Sequence, residues 1–105
     1  MQRALRFTDE AKAQLKLLKD DPASSAELKQ INKALGYLQT NPRHPSLNTH
    51  EFTSLTGGRG EKVFEAYAQN NTLGAYHIFW QYGPDKFAGK KRISIISVVA
   101  ITPHP

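Results

Sequence analysis

Glu65, Tyr67, His77 and Arg92 fall in the C-terminal part of the chain, at positions that strand alternation can gather on one surface. Such an inventory suits general acid-base chemistry on a phosphate ester, of which metal-independent cleavage of RNA is one case. A base must take the proton of the 2′-hydroxyl, an acid must protonate the leaving oxygen, and cations must meet the phosphate charge. Histidine suits the first two roles because its unperturbed pKa, about 6.5, lies near working pH. His77 and His104 are therefore the acid/base candidates, with Glu65 as an alternative base and Arg92 as a cation near the reacting phosphate. Arg59 with Lys62, and Lys90-Lys91-Arg92 with Lys86, are the candidate phosphate contacts, and Tyr67 is placed to stack a base.

Each residue also has a plainer role open to it. His77 also reads as a hydrogen-bonded strand histidine, His104 as a frayed terminal residue, and His50 as a loop residue satisfied by backbone. The lysine runs read equally as a solvated turn. Trp80 belongs to the core, because its face mates on a strand are Tyr76 and Ile78. No pair of histidines has the close, regular spacing of a metal motif and the chain has no cysteine, so neither a metal nor another cofactor is expected. Gly57-Gly58-Arg59-Gly60 is a flexible turn and not a phosphate-binding loop.

The elements that must position these residues can be read from periodicity. Arg3 to Phe7 alternates as a short edge strand with Leu5 and Phe7 on one face. Thr8 offers a capping hydroxyl, and Asp9 and Glu10 follow in the first turn of a helix. Ala11, Leu15 and Leu18 form its buried stripe, and Lys12, Lys16 and Lys19 its wet one. Asp20-Asp21-Pro22 ends it. A second helix runs from Ser24 or Ser25 to about Thr40, with Leu28, Ile31, Leu35 and Leu38 as its apolar seam. Residues 41–62 read as a Pro- and Gly-containing loop, in which His50 to Leu55 can form an extra strand or turn. Three strands then follow at Val63 to Gln69, Ala75 to Tyr82 and Arg92 to Ile101, with short connections that predict an antiparallel meander.

Strict alternation turns Phe64, Tyr76, Ile78 and Trp80 toward the helices, with Ile93 and Ile95 of the last strand. It leaves Glu65, Tyr67, His77 and Arg92 on the opposite, open face. The predicted fold is α+β: one domain over residues 1–105, β-α-α-β-β-β, with an antiparallel sheet covered on one face by a helix hairpin.

Composition is compatible with this reading. At 105 residues, 39% hydrophobic and 22% charged, the chain has room for one modest core and is not disordered in bulk. No apolar run reaches the roughly 20 residues of a membrane span, and no secretory signal opens the sequence, so a cytoplasmic location is expected. A net charge of +5 favours a polyanionic or acidic partner.

Four stretches carry a resemblance: Leu38 to Arg43, His50 to Gly57, Ala75-Tyr76-His77-Ile78-Phe79-Trp80, and Val98 to Pro105. In these and in element order the chain resembles the RelE/ParE superfamily of small bacterial toxins, over nearly its whole length. The resemblance implies a cognate antitoxin as partner. In the RelE-like branch it implies metal-independent cleavage of mRNA on the ribosome, and in the ParE-like branch an action on DNA gyrase. Many members carry arginine after the tyrosine of the second strand, where this chain has His77, and an arginine or histidine where His104 falls. The leading expectation is an mRNA endoribonuclease. The alternatives are a toxin-fold protein that acts only by binding, gyrase-directed or inactive, and a plain basic nucleic-acid-binding domain.

Overall fold

Thr8 fixes the first junction of the chain. The computed structural model describes residues 2–56, 61–69 and 74–103, with backbone alone for 53–56. Strand β1 (Ala4–Phe7) leads straight into helix α1 (Asp9–Lys19), and Thr8 Oγ1 accepts from Ala11 N–H at 3.2 Å, satisfying one orphan donor of the helix. Asp9 and Glu10 sit in the first turn and Lys16 and Lys19 in the last, each at the end whose dipole it complements. Ala11 and Leu18 are buried, Leu15 packs against the core, and Lys12, Lys16 and Lys19 are exposed, as the spacing predicts. A single 3₁₀ turn, Pro22–Ser24, passes the chain to helix α2 (Ser25–Thr40), which buries Ile31, Ala34, Leu35 and Leu38.

The remaining strands are β2 (His50–Thr56), β3 (Lys62–Tyr67), β4 (Tyr76–Tyr82), β5 (Lys86–Ala88), β6 (Lys91–Ile93) and β7 (Ile95–Pro103). Among the described residues, five of these seven strands make one sheet in the order β1-β7-β4-β3-β2, and β5 and β6 form a separate hairpin. The chain is thus a small α+β domain with two helices packed on a five-stranded mixed sheet.

Three expectations are corrected. The sheet is not wholly antiparallel, because β1 runs parallel to β7. Short turns dictate antiparallel neighbours, but β1 is separated from the next strand by the helix pair. Its direction is set instead by bonds along β7, Ala4 N–H to Ser94 O and Thr8 N–H to Val98 O. The expected strand from Arg92 to Ile101 is broken at Ser94, so Arg92 belongs to β6 and leaves the main sheet. Finally, the helix-facing residues of β7 are Ile96, Val98 and Ile101 rather than Ile93 and Ile95.

A bulge accounts for the last correction. Phe79 pairs with Ala100 and Trp80 with Val98, which leaves Val99 as an extra residue and reverses the alternation before it. Its carbonyl is not orphaned, because Thr8 Oγ1–H donates to Val99 O at 2.8 Å. Thr8 therefore caps α1 and holds the bulge together. Thr8→Ala should cost about 1–2 kcal/mol, read as a lowered urea midpoint, with Thr8→Ser restoring most of it. An unchanged midpoint would show that the bulge is held by packing alone. Among the described residues no helix is long and apolar enough to cross a membrane.

Candidate functional site

Register builds the site. On β3 and β4, Tyr67 lies opposite His77 and Glu65 opposite Phe79, while β2 sets His50 opposite Glu65. Directly opposed residues point to the same side of a sheet. Phe64, Ile78 and Trp80 take the helix side, so His50, Glu65, Tyr67 and His77 share the other.

These four side chains touch. His50 Nε2 lies 2.8 Å from Glu65 Oε1, and His77 Nδ1 hydrogen-bonds the second carboxylate oxygen, Oε2. The Tyr67 ring stacks on His77 with centroids 4.2 Å apart and meets His50 edge-on at 5.6 Å. Glu65 and His77 are buried, at 5% and 3% exposure. The His50 side chain keeps 47% of its surface.

The protons can be assigned from the acceptors. A carboxylate only accepts, so His77 Nδ1–H donates to Glu65; in a neutral ring this puts the lone pair on Nε2. Both nitrogens of His50 face oxygens, since Nδ1 lies 3.1 Å from Asn48 O. A doubly protonated ring with Glu65 as counter-ion satisfies both contacts. Chemically, this is a buried carboxylate that orients a half-exposed imidazole. Nδ1 of His50 is presented as a donor, with the Asn48 carbonyl as its acceptor.

The structure brings together Glu65, Tyr67 and His77 of the expected set, but His77 is not the accessible strand residue that alternation suggested. Tyr67 lies over one face of its ring and Glu65 takes Nδ1. Arg92 does not join them. It sits on β6, with Nε and Nη2 at 2.7 and 2.6 Å from Asp85 Oδ2. That pair lies past Tyr82, five residues along β4 from His77, or about 16 Å at strand rise. Lys62 Nζ is 3.7 Å from Glu51 Oε1, Lys91 begins β6 and Lys90 occupies the turn before it. Arg59 and His104 lie outside the described residues.

His50 is the functional candidate that the alternation of the later strands did not supply. Reading His50 to Leu55 as the first arm of a hairpin with β3 would have placed it opposite Glu65. Lys33 is a second omission. With Gln30, Tyr37, Ser46 and Tyr67 it lines a hollow of about 160 Å³ next to the cluster. Its sequence neighbours mark it only as lying off the apolar seam of α2.

The fold also lowers the pKa of Asp85. The Ile95 N–H, and then the Arg92 guanidinium, hold it below the usual carboxylate range. A depressed folded pKa means this tie is fully present above the ordinary carboxyl range. It is lost only as pH falls through the lower folded value. Among the described residues no three His, Cys, Asp or Glu side chains are grouped to hold a metal ion, and the two histidines here address different oxygens of Glu65. No family model, no curated protein and no solved structure matches this chain.

Proposed function

We propose that the chain is a RelE/ParE-like toxin domain, a metal-independent endoribonuclease that cleaves ribosome-associated mRNA and is neutralised by a cognate antitoxin. One observation carries the reading: a buried carboxylate bridging two histidines, one of them half-exposed, beneath a tyrosine. The strand-helix-helix-strand order and the net charge of +5 support it. In this reaction the 2′-oxygen attacks phosphorus and its proton passes to water. The bond from phosphorus to the 5′-oxygen breaks, and His50 Nδ1–H protonates that oxygen, leaving a 2′,3′-cyclic phosphate. Glu65 orients His50 and balances its charge, and His77 acts on Glu65 as a positioning residue.

The deep burial of Glu65 and His77 favours a second reading, in which the cluster only braces the sheet of a toxin-fold binding protein, inactive or gyrase-directed. Incubating the purified chain with translating ribosomes and a defined transcript, followed by primer extension, separates the two. The proposal expects new ends on ribosome-bound message and growth arrest on induction. Intact message on ribosomes and in free solution, with arrest that follows gyrase activity, would establish the second reading.

A further inference from the structure

The hairpin of β5 and β6 is left outside the reaction just described. Four of the fourteen Lys and Arg of the chain, Lys86, Lys90, Lys91 and Arg92, fall within seven residues of it. Phe87 sits among them at 71% exposure. An isolated aromatic on a surface is ordinary, but one held on a rigid arm between cations has a geometry to use. Gly89, with φ of +62°, begins a two-residue turn at the tip, a position that favours glycine in hairpin turns. Register places Phe87 directly opposite Arg92, so ring and guanidinium share one face, while Lys86 and Lys91 take the other.

The root of the arm is fixed. Asp85 accepts from Arg92 Nε at 2.7 Å and from Ile95 N–H at 2.9 Å, and Ser97 Oγ–H donates to Gly83 O at 2.7 Å. Beside that root lies an open hollow of about 370 Å³, lined by Arg3, Tyr82, Asp85 and Arg92 among others. Arg3 stands 5.8 Å over the Tyr82 ring, and its side chain and that of Arg92 both line the hollow.

We propose that this arm is a docking site for single-stranded RNA, with an unpaired base stacked on Phe87 and the backbone held by Arg3, Arg92 and, at the turn, Lys90. Charge complementarity selects a polyanion, and the exposed ring selects one with unpaired bases, because a paired base offers its face to no side chain. An acidic protein would satisfy the cations and leave Phe87 unused. The inference rests on the ribonuclease reading for its choice of RNA. The arm would anchor the strand about 16 Å from His77, measured along β4, and so set which stretch of message reaches His50.

The test uses the full chain and a fluorescent 2′-O-methyl RNA of about 12 nucleotides, which cannot be cleaved and whose length suits a single stacking surface. Phe87→Ala should weaken binding about 5- to 100-fold, and Phe87→Trp should keep it. Lys90→Gln should flatten the dependence of log affinity on log salt by roughly 0.7, one phosphate no longer being neutralised. The melting temperature of Phe87→Ala should match the parent, since the ring is exposed. Parental affinity in folded Phe87→Ala would overturn the proposal, as would duplex RNA or polyglutamate binding as tightly as the single strand. Because the probe is uncleavable, the two readings fail separately. Phe87-dependent binding by a chain that cuts no message leaves the arm standing alone, and cleavage with Phe87-independent binding leaves the ribonuclease without it.

Discussion

Glu65→Ala is expected to lower stability by about 3 kcal/mol, enough to move the melting temperature by about 12 °C or more. The carboxylate is 5% exposed and each oxygen holds one histidine. Truncation leaves a hole where a buried acceptor stood and strands His77 Nδ1–H in a site that is 3% exposed. Removing one partner of a buried polar pair costs more than the pair contributes net, because the survivor stays desolvated. Glu65→Gln separates charge from volume. Its amide fills the space, but one end must now donate, so one histidine has to present a lone pair, His77 by changing tautomer or His50 by giving up a proton. That variant should lose about 1–2 kcal/mol, and by the ribonuclease reading it should still lose cleavage, because His50 has no counter-ion. A Glu65→Ala protein that melts within two or three degrees of the parent (roughly 0.5 kcal/mol) would mean water replaces the carboxylate at little cost.

The parts of this fold that were legible in sequence are those where one local rule acts alone. Thr8 before Asp9-Glu10 marks a helix start by capping and dipole, and the Leu28, Ile31, Leu35, Leu38 seam fixes the inner face of α2. On β3 and β4, alternation puts Glu65, Tyr67 and His77 on one side, and the register agrees. The losses occur where a single residue resets a rule. Val99 adds one position to β7, and with period two an added residue exchanges the faces on either side of it. Nothing in the composition of Ser97-Val98-Val99-Ala100 marks which residue is extra, since all four are small or β-branched. The β5–β6 hairpin was hidden for another reason. Strands of only three residues, Lys86-Phe87-Ala88 and Lys91-Arg92-Ile93, carry too little alternation to stand out from a charged loop.

Burial is the second kind of loss, and it decides the chemistry. Alternation says which side of a sheet a residue takes and says nothing of what lies over it. Sequence therefore favoured His77, beside an aromatic-rich strand, over His50, which follows a loop containing Pro42 and Pro45. The structure gives the accessible ring to His50 and seats His77 behind Glu65. Both follow from one feature, the pairing of β2 with β3 that sets His50 opposite Glu65.

By the ribonuclease reading, His50→Ala is therefore expected to lower cleavage of ribosome-bound message by about 10²–10⁴-fold, the usual worth of a positioned acid. Stability should change by only about 1 kcal/mol, because half the side chain is already in water and Glu65 keeps its bond to His77. His50→Gln should not rescue activity, since an amide donates a hydrogen bond but gives up no proton. His77 should behave differently. In His77→Asn the side-chain amide can stand where Nδ1–H stood and continue to donate to Glu65, so cleavage should stay within about tenfold of the parent. The pH profile distinguishes the roles further. Loss of a proton-transferring His50 should remove the basic limb of kcat/KM, whereas loss of a positioning His77 should lower the rate and leave that limb in place. Parental cleavage by folded His50→Ala, together with none by folded His77→Asn, would reverse the assignment and require the sheet to open so that His77 itself meets the RNA.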